Sequence, residues 1–278
     1  MLTKSELLKI FKEYGFRPLK RFGENYLIDG NIKDKIIREA CIEKSDVVLE
    51  IGPGLGALTI DLAKSGARVF AVEKDKKAFE ILNDLAGGEF SNLELINKDI
   101  LRSGLSDLAP GEKIKVIGNL PYYITTPIIE YLIENRTVIR SVLVVVQKEV
   151  ARRLLAGPGD DDYSSLSCFV QYYTKPTYIY TVKRTSFYPT PDVDSSLIRL
   201  DILAKPSVIV KDEQVLFKIV RGAFNQKRKT LINSLSREEV LDIQKEELTN
   251  ILKRAGINPA SRPESLSLSE FAAIANRL

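Results

Sequence analysis

The stretch Glu50-Ile-Gly52-Pro-Gly54-Leu-Gly56 follows a short apolar run, Asp46 to Ile51, and leads into the helix-period segment Ala57 to Lys64. A strand that turns through glycines into a helix exposes backbone N–H groups without a Cβ in the way. It therefore builds a place where a ligand can approach the main chain closely. Working outward, Ala67 to Val72, Asn92 to Ile96 and Lys113 to Gly118 read as further strands, with Lys76 to Leu85 and Pro127 to Glu134 as helices between them. Ser141 to Gln147 is the most apolar strand and is expected at the centre of the sheet, with helix Lys148 to Leu155 behind it. Short apolar runs alternating with helical periods predict an α/β fold with a mostly parallel sheet. Gly157-Pro-Gly-Asp-Asp-Asp reads as a surface loop, and Thr177 to Lys183 and Ser196 to Asp201 as a closing antiparallel pair. Ahead of the first strand, Ser5 to Tyr14 and Ile32 to Ala40 read as helices. From Asp212 onward only helical periodicity remains, predicting three to five helices. The expected division is residues 1–203 as an α/β domain carrying the ligand sites and 204–278 as a small helical domain.

Composition narrows the chemistry. The chain of 278 residues contains no histidine, which excludes Ser-His-Asp and Cys-His catalysis and histidine-ligated zinc. Cys41 and Cys168 have no metal-ligand or redox spacing and read as buried small hydrophobes, so no metal is expected. The longest aliphatic run, Val142 to Val146, is far too short for a membrane span, and the first residues lack an apolar leader core, so a cytoplasmic protein is expected. The net charge of +4 is a mild pointer to a polyanionic partner.

Glu73 ends the second strand, where an acidic residue receives ribose hydroxyls in doubly wound sheets. The loop is G-x-G-x-G, one residue shorter than a dinucleotide cradle and interrupted by Pro53. A nucleoside cofactor without a pyrophosphate does not need the longer loop, which favours S-adenosylmethionine over a nicotinamide dinucleotide. Asp99, after the third strand, is placed to accept from an adenine amino group. Asn119-Leu120-Pro121-Tyr122 follows the fourth strand, at the edge where open α/β sheets bind ligands. An exocyclic amine on a base is a weak nucleophile because its lone pair is delocalised into the ring. An amide oxygen and a backbone carbonyl can hold its two hydrogens, while proline stiffens the turn and tyrosine offers a flat face. No strong base is needed, because the nitrogen becomes acidic as it gains a methyl group.

These motifs, in this order, resemble the ribosomal RNA adenine N6-dimethyltransferases, and the bacterial small-subunit branch most. Gly23-Glu24-Asn25-Tyr26-Leu27 is similar to the family's N-terminal G-Q-N-F-L segment, and Phe187-Tyr-Pro189-Thr-Pro191-Asp-Val193-Asp-Ser195 to its F-x-P-x-P-x-V-x-S segment. The resemblance implies a Rossmann-like class I S-adenosylmethionine-dependent methyltransferase with a seven-stranded sheet and a small C-terminal α-helical domain that engages rRNA. By it, Asn25, Leu27, Gly52, Gly54, Glu73, Asp99 and Asn119 would hold the cofactor. Asn119, Leu120, Pro121 and Tyr122 would form the catalytic turn, with Phe187 stacking on the flipped adenine opposite Tyr122. It also implies N6,N6-dimethylation of two adjacent adenosines in the 3′-terminal hairpin of small-subunit rRNA during ribosome assembly, by a monomer. Glu24 stands where the family has glutamine and is assigned no role, and Tyr26 replaces phenylalanine.

Four basic groups make an electrostatic footprint for RNA: Lys20-Arg21, Arg152-Arg153, Lys183-Arg184 and Lys227-Arg228-Lys229, the first three expected near the cleft. Rival readings are an Erm-type large-subunit rRNA or a DNA adenine methyltransferase, a nicotinamide-dependent dehydrogenase, and a non-enzymatic assembly factor on the same fold. The intact Asn119 and Tyr122 argue against the last, and the short glycine loop against the dehydrogenase.

Overall fold

The computed structural model describes residues 3–18, 25–226, 229–236, 241 and 243–278. Its elements in chain order are α1 (Lys4–Glu13), β1 (Tyr26–Leu27), α2 (Gly30–Glu39), β2 (Val47–Ile51), α3 (Thr59–Lys64), β3 (Arg68–Glu73), α4 (Lys76–Ala86), β4 (Leu93–Asn97) and α5 (Leu105–Leu108). There follow β5 (Ile114–Asn119), α6 (Thr125–Glu134), β6 (Ile139–Gln147), α7 (Lys148–Leu155), α8 (Ser165–Tyr173), β7 (Thr174–Val182), β8 (Phe187–Tyr188) and β9 (Ser195–Ile202). Helices α9 (Glu213–Phe224), α10 (Leu231–Leu235), α11 (Lys245–Arg254) and α12 (Leu268–Ala275) complete the described chain.

Seven strands form one sheet in the order β4-β3-β2-β5-β6-β9-β7. Strands β4 to β6 run parallel, and β9 pairs antiparallel with β6. The chain therefore reverses strand order between β2 and β5, which opens a crevice at the carboxyl ends of the strands. Val142 to Val146 of β6 are all buried, as a strand covered on both faces requires, although the central strand is β5 and β6 lies one place beyond it. Each such aliphatic side chain contributes about 1.5–3 kcal/mol by leaving water.

On one side of the sheet, Ile32 and Ile36 of α2 and Leu58 and Leu62 join Val48, Val69 and Ile117 in a common core. A second, aromatic cluster fixes the N-terminal segment. Phe11 and Phe16 meet the ring of Tyr26 at 5.7 and 6.2 Å between centroids, and Tyr26 and Leu27 pair with Tyr188 and Phe187 in a two-stranded ladder. That packing brings Asn25 and Leu27 to the crevice.

The chain separates into two compact units, Met1–Ala151 with Thr177–Ile202, and Arg152–Pro176 with Leu203–Leu278. A single cut between residues 203 and 204 would miss the second segment of this arrangement. Helix α8, absent from the expected elements, packs in the second unit through Phe169, Tyr172 and Tyr173, whose rings lie 5.2 to 5.8 Å from that of Phe217 on α9. These aromatics are apolar on all sides of a nine-residue helix, so neither the period of an amphipathic surface helix nor the alternation of a strand marks them out. No helix among the described residues is long and apolar enough to cross a membrane.

Candidate active site

A cleft at the carboxyl ends of β2 to β5 encloses about 990 Å³, solvent at its mouth included. Asn25, Leu27, Gly52, Gly54, Glu73, Asp99 and Asn119 all line it, as do Leu120, Pro121 and Tyr122. Residues separated by as many as 97 positions are thus brought to one wall system, by strand order and by the packing of the N-terminal segment.

The glycine loop folds as its composition requires. Gly52 and Gly54 have φ of +66° and +56°, in the left-handed region where a Cβ is strained. A Cβ on Gly54 would also lie 3.0 Å from Cε1 of Tyr26. Glu73 stands opposite: its Oε2 accepts from Gly54 N at 3.0 Å and its Oε1 from Asp75 N at 2.8 Å. One lone pair on each oxygen is used to clamp the loop, and the carboxylate keeps capacity for hydroxyl donors.

Glu50, quoted as the start of the loop but given no role, is 2% exposed, and its Oε2 has no hydrogen-bond partner among the described residues. Burial pushes its carboxyl up to about 8, with the nearby charge of Glu73 acting in the same direction. At Asp99, burial acts upward, but hydrogen bonds from Lys74 and from the N–H of Leu101, with the Lys74 charge, outweigh it and hold the carboxyl below its ordinary value. Lys74 Nζ lies 2.8 Å from Asp99 Oδ2. Sequence reasoning missed Lys74, because a lysine after a strand carries no signal for a partner on the next strand.

Asn119 ends β5. Its Nδ2 donates to the carbonyl of Asn25 at 2.8 Å. A carbonyl only accepts, so this bond determines which end of the amide is which. The opposite end, Oδ1, is buried without a hydrogen-bond partner among the described residues. An orphan acceptor of this kind costs about 1–3 kcal/mol unless something in the cleft donates to it. In the turn that follows, the Pro121 carbonyl is already engaged by Thr125 Oγ1 at 2.9 Å and Ile124 N at 3.2 Å. Leu120 lines the cleft although the whole residue is only 1% exposed. Tyr122 is half-buried. Its hydroxyl lies 2.7 Å from Ser195 Oγ, and burial pushes the phenol above its ordinary value. Ser195 closes the Phe187-to-Ser195 segment but is 73 residues from Tyr122, so nothing local in the sequence joined them.

Phe187 corrects an expectation. The register Leu27↔Phe187 turns its ring inward, where it is 1% exposed within the core around Leu27, Val182 and Leu197. It does not line the cleft and in this structure presents no face to a base. An aromatic with alternating neighbours in a two-residue strand faces one side or the other, and tertiary pairing chose the core. The described basic groups lie outside the cleft wall. Lys183 pairs with Asp194 at 3.4 Å, and Arg184 N donates to the same carboxylate at 2.9 Å. Arg152 pairs with Asp162 at 3.1 Å, and both Arg152 and Arg153 belong to the second unit. Lys229 is exposed. Lys20, Arg21, Lys227 and Arg228 lie outside the described residues, as do Gly23 and Glu24.

The donor set tests the cofactor. The cleft is lined by four acidic side chains, Glu50, Glu73, Asp75 and Asp99, beside the cations Lys74 and Lys98. A pyrophosphate would be repelled here, whereas a cationic nucleoside with ribose hydroxyls meets acceptors throughout. Among the described residues no group of three or more His, Cys, Asp or Glu could hold a metal ion.

The ribosomal RNA adenine dimethylase family matches residues 15–278. The chain belongs to this family. It is 42% identical to "Ribosomal RNA small subunit methyltransferase A" of Alkaliphilus oremlandii over 97% of this chain and 95% of the relative. It is 45% identical to the protein of the same name from Pelotomaculum thermopropionicum over 96% and 94% of the two chains. Among solved structures, a dimethyladenosine transferase from Plasmodium falciparum superposes with a TM-score of 0.76 at 29% identity, covering 88% of this chain and 94% of that one. The 23S rRNA methyltransferase ErmE superposes at 0.71 with 26% identity, covering 91% and 99%. The fold is thus that of the class I methyltransferases, and this dimethylase is an S-adenosylmethionine-dependent enzyme whose partner is RNA.

Proposed function

We propose that this enzyme dimethylates the N6 amine of adenosine in small-subunit ribosomal RNA, with Asn119 Oδ1 as the acceptor that orients the amine. The observation that carries the reading is that oxygen itself, buried at the carboxyl end of β5 with its Nδ2 already committed to Asn25. A donor from the target base completes it. The carbonyl of Leu120 takes the second N–H, since that of Pro121 is occupied, and the half-buried ring of Tyr122 supports the base face. With its hydrogens drawn out of the ring plane toward these two acceptors, the nitrogen pyramidalises and its lone pair leaves conjugation. The bound cofactor supplies an electrophilic methyl on a sulfonium. Asn119 Oδ1 accepts a hydrogen bond that strengthens as positive charge develops on nitrogen, so it lowers the barrier more than it tightens binding.

Glu73 takes the ribose hydroxyls, Asp99 the adenine amine, and Asn25, Leu27, Gly52 and Gly54 the walls around the methionine portion. Small-subunit RNA is favoured by the names of the relatives at 42–45% identity over nearly the full chain. We extend the reading to two adjacent adenosines of the 3′-terminal hairpin, modified within an assembling subunit by a monomer in the cytoplasm. Phosphate contacts from Lys183, Arg184, Arg152, Arg153 and Lys229, together with Lys20, Arg21, Lys227 and Arg228, would hold the RNA without reading its sequence. Incubation of unmethylated small-subunit and large-subunit rRNA, free and in particles, with labelled cofactor tests this by nucleoside mass spectrometry. Dimethyladenosine in the small-subunit samples is the expected result, and label confined to large-subunit RNA would overturn it.

A further inference from the structure

Ser195 has no place in the chemistry above, yet it is fully buried and its Oγ lies 2.7 Å from the hydroxyl of Tyr122. It opens β9 and pairs with Gln147 at the carboxyl end of β6. The sheet order here is β5-β6-β9. Tyr122 therefore leaves the end of β5, passes the end of β6 and is anchored at its far end two strands away. That anchor is stiff, because Ser195 and Ser196 both sit in the β6–β9 ladder with no exposure to solvent beyond 2%.

We propose that Ser195 is a positioning residue, whose hydroxyl sets the orientation in which Tyr122 presents its ring to the target base. A tyrosine ring tethered only through Cβ swings about χ1 and turns within a broad χ2 well. Holding the phenol oxygen removes the swing. It also restrains the turn, since the phenolic O–H and the lone pair opposite it lie in the plane of the ring. The base must satisfy Asn119 Oδ1 and rest on Tyr122 in one pose, and must do so again after gaining its first methyl group. An error of about 1 Å in such a wall costs up to about 100-fold in rate without altering cofactor binding. The inference rests on the functional reading of Tyr122 given above. It assigns a task to the last residue of the Phe187-to-Ser195 segment, whose first residue the fold has committed to the core.

The test compares Ser195→Ala, Tyr122→Phe and the double variant in single-turnover assays at saturating cofactor and RNA, with mono- and dimethyladenosine scored separately. Each single variant removes the same hydrogen bond. Each is expected to lower the methyl-transfer rate by about 10-fold and to accumulate the monomethyl product, with cofactor affinity by calorimetry unchanged. The double variant should be no slower than either single one, and Ser195→Cys, nearly isosteric but a weak hydrogen bonder, should fall between. Losses that multiply to about 100-fold in the double variant would overturn the proposal, as would a wild-type rate and product ratio in Ser195→Ala. If Ser195→Ala does not fold, Tyr122→Phe decides alone, a wild-type rate there counting against it. Wild-type protein is the control: no turnover on rRNA would sink the functional reading itself, and this inference with it.

Discussion

Tyr172 and Tyr173 both donate their hydroxyls to the carboxylate of Glu213, at 3.2 and 2.5 Å, whereas Asn119 Oδ1 and Glu50 Oε2 are buried with nothing among the described residues to meet them. In the second unit the polar atoms of the α8–α9 packing satisfy one another, and the thiol of Cys168 likewise donates to Tyr163 at 3.1 Å. The orphans of that unit, Thr230 and Ser234, are hydroxyls. The first unit strands hydroxyls too, Thr59 Oγ1 among them, but it adds an amide oxygen and a carboxyl, groups far costlier to strand. The fold thus pairs its buried tyrosines but leaves these two acceptors buried and unmet beside the cleft.

Removing the orphan acceptor is the sharpest way to break this contrast. Asn119→Ala should lower kcat by about 10²–10³, the scale of one preorganised polar contact, and reduce both methyl additions while the protein remains folded. Single-turnover assays at saturating cofactor and RNA measure it, and undiminished rates for both products would remove Asn119 from the chemistry. Next in size is Glu73→Ala. Losing a charged acceptor for the ribose should weaken S-adenosylmethionine binding by about 1.5–3 kcal/mol. Calorimetry on a variant whose melting temperature shows it folded would decide, and an unchanged affinity would leave Glu73 only the loop clamp seen at Gly54 N.

Glu50 offers a pH test with a definite sign. Its carboxyl, ordinarily near 4.5, stands at about 8 in the fold, so the native state favours the protonated form. That contribution is full below about pH 4.5 and is lost as pH rises toward 8, with a slope of at most about 1.4 kcal/mol per unit. Glu50→Gln should flatten the fall in melting temperature of the cofactor-free protein between pH 5 and 8. Parallel curves for the two proteins would show that Glu50 is ionised at neutral pH. The smallest effect belongs to the self-satisfied region: Tyr173→Phe should cost about 1.5 kcal/mol in urea unfolding and leave cofactor affinity untouched. A change in that affinity would mean that the two regions are not energetically separate.

Much of the α/β pattern was legible locally. The glycine loop, Glu73, Asp99 and the Asn119-to-Tyr122 turn each end or follow a strand, and strand order carries all of them to one edge. The wall opposite Tyr122 was not legible. Phe187 and Ser195 lie in one segment with two prolines, and nothing in its spelling says which residue meets Tyr122 and which packs into the core around Leu27. The ladder with Leu27 resolves it for Phe187, and the ladder with Gln147 for Ser195.

The sequence by itself determined what depends on neighbours in the chain: helix and strand periods, the left-handed glycines, and the chemistry available in a protein without histidine. Tertiary structure alone decided the pairings across 25 to 100 residues. These are Asn119 with Asn25, Lys74 with Asp99, Tyr122 with Ser195, and the transfer of α8 to the second unit. The reason is physical. Backbone preference and hydrophobic period act over a few residues, so they are written in the local order of side chains. A hydrogen bond between distant groups exists only after strand order and register have brought them within 3 Å, and that geometry is a property of the whole sheet.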